Sequence, residues 1–358
     1  MPGLTLDALR RHAVARSLFR PTTLPQAIER LGFVQADPIR APARAQDLTL
    51  RHRVAGYRAG DLERGYAQLD IEEDFFVNYG FVTPALQRLM HPRSPRTVWP
   101  KARWAQAHEV LAFVREHGVV HPREVDAHFQ HGKVRNWFGG SSNASTQLLD
   151  GMHYRGLVRV ARREGGVRLY APREPHAPPA DAAAAMDALV DAVVAKYAPL
   201  PAAARGQVGS VLAGAAPQWR DGRRTALARA KARLPQARVD GLDWYWPAGE
   251  NPAHAPAAAD TVRMLAPFDP LVWDRRRFEL FWRWPYRFEA YTPAPRRQLG
   301  YYALPLLWRE QVVGWANLAV HGGRLMPEVG FFGPRISDAA FVNAVDDELQ
   351  RLSDFLGL

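Results

Sequence analysis

Leu157-Val158-Arg159-Val160, a Gly165-Gly166 turn and Val167-Arg168-Leu169-Tyr170 form two alternating runs about a tight connection. This pattern predicts a two-stranded hairpin. Working back towards the N-terminus, Ala144, Leu148, Leu149 and Met152 recur at helical spacing. A polar, glycine-rich turn precedes them: Trp137-Phe138-Gly139-Gly140-Ser141-Ser142-Asn143. Earlier still, Pro122 opens a short helix carrying Val125 and Phe129, with His121 ahead of the proline. A longer helix runs from Trp104 to Glu116, with Ala107, Val110, Leu111 and Val114 on one face and Gly118 as its stop. Helix, helix, helix, two-stranded wing is the winged-helix order.

The theme repeats more weakly on both sides. Leu6 to Leu18 and Leu24 to Leu31 read as two helices. Met186 to Tyr197 is amphipathic, Pro201 opens a second helix through Val208, Val211 and Leu212, and 238–246 reads as another wing. The C-terminal part changes character. Runs 286–291, 300–308 and 312–320 alternate, with Arg309-Glu310-Gln311 as a tight connection, and Ala339 to Leu358 closes the chain as a helix. Proline- and alanine-rich stretches near 93–100, 172–179 and 248–257 punctuate these parts. The expected fold is α+β: three tandem winged-helix subdomains, 1–100, 101–175 and 180–247, then a small antiparallel β-barrel with its C-terminal helix, 260–358.

The 358 residues contain no cysteine, which excludes thiol catalysis, cysteine-ligated metals and disulfides. No apolar run approaches the roughly 18 residues of a membrane span. No secretory signal is visible at Met1-Pro2-Gly3-Leu4, so a cytoplasmic location is expected. The net charge is +11, and 43 of the 47 basic residues are arginine. Residues 1–60 hold 10 basic and 4 acidic groups, whereas 246–358 hold 12 and 13. An arginine excess confined to the first two thirds suits phosphate contacts; a solvated basic surface is the plainer account.

His117, His121, His128 and His131 lie close in sequence, but Gly118 and Pro122 break any shared helical face between the first two, and no metal or cofactor is expected. No phosphate-binding glycine loop and no nucleophile elbow occurs. Leu31-Gly32-Phe33-Val34-Gln35-Ala36-Asp37-Pro38-Ile39-Arg40 is more informative. In an extended segment Gln35 and Asp37 point to the same side, placing an amide beside a carboxylate that can orient and polarise water. Alternatively, Gln35 caps a turn and Asp37 caps a helix with Pro38 at its first position.

Phe33-Val34-Gln35-Ala36-Asp37-Pro38-Ile39, followed by Ala43-Arg44-Ala45-Gln46-Asp47-Leu48, resembles the Gln-x-Asp region of a bacterial winged-helix DNA glycosylase family, the AlkZ/AlkX (YcaQ) type. Leu265-Ala266-Pro267-Phe268-Asp269-Pro270-Leu271-Val272-Trp273-Asp274-Arg275, Tyr286 to Tyr291 and Arg297 to Pro305 continue the resemblance in order. That family includes enzymes that unhook interstrand crosslinks. The resemblance implies a C-shaped clamp on DNA, a monomer associated with the nucleoid, and Gln35 and Asp37 as the catalytic pair. It implies hydrolysis of the glycosidic bond of a cationic N7-alkylated purine, which leaves an abasic site. Arg40, Arg44, His52, Lys133, Arg135, Ser141, Ser142 and Asn143 are the candidate contacts to double-stranded DNA. Trp137 and Phe138 read as core, and Asp269, Trp273 and Asp274 as structural. None of the four lysines stands near the Gln-x-Asp motif in sequence, which favours a monofunctional enzyme. Two departures leave the lesion open: Gln46 stands where the family often has His, and Asp74-Phe75-Phe76-Val77-Asn78-Tyr79-Gly80 lacks an expected His. The competing readings are a non-catalytic winged-helix regulator and an RNA-binding or interaction scaffold.

Overall fold

The computed structural model describes residues 3–95, 97–135, 140–334 and 336–358, with only the backbone of Arg135. The turn residues Trp137 and Phe138 lie outside the described residues. The chain begins with helices Leu6–Ser17 and Leu24–Leu31. Thr5 caps the first through its hydroxyl, and Gly32 ends the second at φ +66, a conformation that costs a side-chain-bearing residue more. Strand Phe33–Gln35 then pairs antiparallel with Tyr79–Val82, whose other edge takes Glu72–Phe75.

Residues 101–172 run helix, helix, helix, hairpin, in the expected order: Lys101–His117, Pro122–Phe129, Ala144–Tyr154, then Val158–Glu164 against Val167–Pro172. His121 caps the second of these helices in a reciprocal box with Glu124. Helices Ala182–Tyr197, Arg205–Ala215 and Arg223–Arg233 follow, with the hairpin Gln236–Val239 and Leu242–Tyr245. The helix Arg223–Arg233 escapes periodicity analysis because its buried residues are only Ala226 and Ala230.

The C-terminal part differs from the expected barrel. Strands Val262–Met264, Leu304–Trp308, Gln311–His321 and Arg324–Phe331 form an open, four-stranded antiparallel sheet among the described residues. Helix Ala339–Leu356 packs against it through Phe341, Leu352 and Phe355. Residues 286–291 are not a strand. They belong to a loop held by aromatic packing, with Phe288 edge-on to Phe268, Tyr291 and Tyr302. No described helix is long and apolar enough to cross a membrane.

Two apolar cores run through the molecule, and strand Phe33–Gln35 stands between them. Val34 packs into one core with Leu48, Phe81 and Tyr302; Phe33 packs into the other with Phe76, Leu189 and Trp244. A strand alternates its side chains, so a buried three-residue strand can wall both cores. Gly80, opposite Gln35, makes this possible. A Cβ there would lie 2.3 Å from the Val34 carbonyl oxygen and 2.9 Å from Gln35 Cα. Neither backbone atom can swing away. Gly80→Ala is therefore expected to destabilise the protein by about 1–3 kcal/mol, measured by denaturant unfolding. An unchanged midpoint would show that the strand pair separates freely.

Candidate active site

The strand ends at Gln35, but its pairing runs one residue further: Ala36 N–H donates to the Tyr79 carbonyl at 3.0 Å. Gln35 and Asp37 are both buried. Gln35 Oε1 is enclosed and has no hydrogen-bond partner among the described residues. Asp37 begins no helix. Residues 38–44 are loop, and the next helix is Ala45–Leu50. Instead Asp37 Oδ1 accepts the Ile39 N–H at 2.8 Å, which closes an Asx turn over Pro38. The capping alternative thus holds only as a turn. Asp37 Oδ2 has no partner among the described residues.

Burial raises the Asp37 carboxyl above its ordinary range, and the Ile39 hydrogen bond opposes this. The loop 286–302 faces it. Burial first and the Asp37 charge second push up the phenols of Tyr291 and Tyr302. Tyr302 Oη is enclosed without a partner among the described residues, whereas Tyr291 is largely exposed. Gln46, on Ala45–Leu50, accepts the Asp37 backbone N–H through Oε1 at 3.3 Å. This residue therefore touches the candidate carboxylate's own peptide. Tyr291 and Tyr302, within 286–305, feel the Asp37 charge from the facing loop.

The stretch with the other departure is a buried charge network on the next strand. Asp74 accepts from His91 Nε2 at 2.7 Å, Arg93 Nη1 at 2.8 Å and Gln87 Nε2 at 3.2 Å. Burial opposes its ionisation, yet Arg93 and His91 hold it well below the usual carboxylate range.

The candidate DNA contacts fall in three places. Arg40 is exposed and Arg44 is paired with Glu63 at 2.6 Å. Both line a cavity of about 450 Å³ that also takes in Arg163 and the Gly165-Gly166 turn of the hairpin. Lys133, Ser141, Ser142 and Asn143 come together with the Arg135 backbone on one small hairpin, in which Lys133 lies opposite Asn143 and Arg135 opposite Ser141. Lys133 and Ser141 are exposed there, while Asn143 donates to Asp126 at 2.8 Å. His52 is different. It is 3% exposed, its Nε2 lies 3.0 Å from the Met264 carbonyl oxygen, and burial among Arg51, Arg263 and Arg53 keeps it well below its ordinary value. It does not stand on an open surface.

The family model for DNA glycosylase AlkZ-like proteins matches residues 28–355. The chain belongs to this DNA glycosylase family. Among solved structures it is similar to the Streptomyces sahachiroi DNA glycosylase AlkZ, with a TM-score of 0.65 and 15% sequence identity. The match covers 99% of this chain and 98% of that one. At that identity the likeness speaks for a shared fold, and the family supplies the class of activity: a DNA glycosylase of DNA repair, acting on DNA.

Within this AlkZ-like chain one lysine does approach the motif in space. Lys196 Nζ, on Ala182–Tyr197, donates to the Phe33 carbonyl and, at 3.4 Å, to that of Leu31. Burial lowers it to about 7, with Arg53 adding to the effect and Asp269 opposing it. It is enclosed on the Phe33 side and spent on backbone carbonyls. The motif residues Asp269 and Asp274 are fully buried, and each caps a helix. Trp273 stacks on Tyr197 at 4.2 Å.

Proposed function

We propose that the protein is a monofunctional glycosylase that hydrolyses the N-glycosidic bond of cationic N7-alkylated purines in duplex DNA, with Gln35 and Asp37 as its catalytic residues. The observation that carries this reading is a buried amide oxygen and a carboxylate oxygen, two residues apart, both left without partners among the described residues. Most buried polar groups in proteins are paired, so an enclosed amide oxygen beside an unpartnered carboxylate oxygen leaves hydrogen-bonding capacity for a bound water. A water molecule bound between them meets the need of the reaction. An N7-alkylated guanine already carries positive charge and leaves without protonation. What remains is to stabilise an oxocarbenium-like sugar and to direct water at C1′. Asp37 does both, by its charge and as general base, while Gln35 holds the water. The Ile39 N–H fixes the carboxylate, and Gln46 holds the Asp37 main chain.

In this reading Arg40 and Arg44, on the loop after Asp37, and the hairpin carrying Lys133, Arg135, Ser141, Ser142 and Asn143 contact phosphates. The chain acts as a monomer, with three winged-helix units and the C-terminal sheet gripping the duplex at the nucleoid. A loop-lined site admits a base that cannot flip freely, which extends the substrates to interstrand crosslinks.

The test is release of free base from duplex DNA holding N7-methylguanine and, in parallel, a nitrogen-mustard crosslink, with abasic sites revealed by alkali. Release by wild type, abolished in Gln35→Ala and Asp37→Ala with duplex binding retained, is the expected result. Strand cleavage without alkali, trapped by borohydride and lost in Lys196→Met, would overturn the monofunctional assignment. Binding without release from either substrate would favour a non-catalytic DNA-binding protein.

A further inference from the structure

A second cavity, of about 390 Å³, lies between residues 51–58, strand Val262–Met264 and the end of helix Ala339–Leu356. It shares no residue with the Gln35–Asp37 pair. Arg51, Arg58, Arg263 and Arg351 line it, with Asp354 as the one carboxylate on its wall and the neutral ring of His52 beside them.

The pairing of these arginines is incomplete. Arg51 and Arg351 share a single carboxylate, Glu348, which is fully buried beneath them. The Arg51 side chain is 4% exposed, yet its Nε has no partner among the described residues. Among the described residues the Arg58 guanidinium donates only to a main-chain carbonyl, that of Asp354, at 3.3 Å. The Arg263 main chain pairs with Leu307 in the sheet, but its guanidinium has neither hydrogen bond nor ion pair among the described residues. Four guanidinium groups thus face two carboxylates, and at least one buried N–H and one whole guanidinium are unused. Burial, with the charges of Arg53, Arg351 and Arg51, presses Arg263 below its ordinary value, although Glu348 opposes this. Packing does not require this arrangement, because an uncompensated buried cation costs stability. A tetrahedral oxyanion would satisfy it, since guanidinium groups match phosphate geometry with paired N–H donors.

We propose that this cavity is a phosphate-binding site, separate from the candidate catalytic pair. A DNA backbone phosphodiester and a free phosphate present the same chemistry, and two arms of one experiment distinguish them. In the first arm the melting temperature of the whole protein is followed against inorganic phosphate, with chloride at matched ionic strength as control. A saturable rise is expected, because a ligand that binds only the folded state stabilises it. The rise should be lost in Arg263→Gln, reduced in Arg58→Gln and kept in part in Arg263→Lys. Arg263 lacks a partner to orphan, so Arg263→Gln should melt in chloride no lower than wild type.

In the second arm duplex affinity is measured against salt for wild type and Arg263→Gln. A backbone phosphate held here lowers the slope of log K against log salt by about 0.9 in the variant. That loss, with or without a response to free phosphate, assigns the site to DNA. A saturable phosphate response lost in Arg263→Gln, with an unchanged slope, assigns it to a free phosphate compound. If Arg263→Gln and Arg58→Gln alter neither the phosphate response nor the slope, the proposal is overturned. The readouts do not involve base release, so failure here leaves the catalytic reading untouched, and the reverse also holds.

Discussion

Asp37→Asn is expected to lower the single-turnover rate of base release by about 10²–10⁴-fold, with duplex affinity unchanged. The substitution keeps the shape of the side chain and the Asx turn, since the Asn carbonyl can still accept the Ile39 N–H at Oδ1. Only the charge and the basic oxygen are lost. The same change should not weaken the fold. Burial raises the Asp37 carboxyl above its unfolded value, so the native state favours the protonated form. The stability linked to this group is therefore complete below the ordinary carboxylate range and is lost as pH rises through the raised value. At pH 7 the ionised carboxylate costs stability, and a neutral Asn removes that cost. The variant should melt at or above the wild-type temperature at pH 7. The acid limb of the wild-type rate should lie above the ordinary aspartate value, because activity needs the carboxylate form. A variant that loses activity and also melts well below wild type would assign Asp37 a structural role instead.

The second large effect concerns stability. Asp269→Ala is expected to destabilise the protein by about 3–5 kcal/mol, by denaturant unfolding. Arg53 and Asp269 are each 0% exposed and form a two-armed ion pair, Nη1 to Oδ2 at 2.8 Å and Nη2 to Oδ1 at 3.0 Å. Arg53 also donates to the carbonyls of Ser17 and Thr49. The pair ties the segment after helix Ala45–Leu50 to the Phe268-Asp269-Pro270 motif, more than 200 residues later. Removing the carboxylate strands the buried Arg53 cation, and it also withdraws the charge that favours the protonated form of Lys196. It further frees the Leu271 N–H, which Asp269 caps at 3.0 Å. Replacing both partners with apolar residues should cost less than the single change, since no charge is then stranded. Equal losses in the single and double variants would show that the ion pair is not what joins the two segments.

Much of this was legible in the chain. Apolar periodicity located the helices of 101–172, and the glycine turn located their hairpin. Spacing and a resemblance over 33–48 single out Gln35 and Asp37 as candidates, and the family match over 28–355 supports the class of enzyme. Other parts had no local signal. The alternation in 286–291 mimics a strand, but it arises because buried Tyr286 and half-buried Phe288 anchor a loop whose Glu289 accepts the N–H groups of Gln298 and Leu299. Strand pairing is a long-range property, so alternation alone cannot distinguish the two cases. His52 lies in a basic run, yet the strand Val262–Met264 covers it; nothing near residue 52 announces that partner. Lys196 is the same kind of case. Its cation interrupts an apolar helix face, and only the tertiary fold shows that it ends on the strand before Gln35.

The most direct test of the catalytic assignment is base release from an N7-methylguanine duplex under single-turnover conditions, with duplex binding measured on the same preparations. Wild type should release the base and leave an alkali-labile site. Gln35→Ala and Asp37→Asn should bind the duplex as wild type does but release the base about 100-fold more slowly or worse. Release at the wild-type rate by either variant would contradict the assignment of that residue, and wild-type rates in both would place the chemistry elsewhere on the protein.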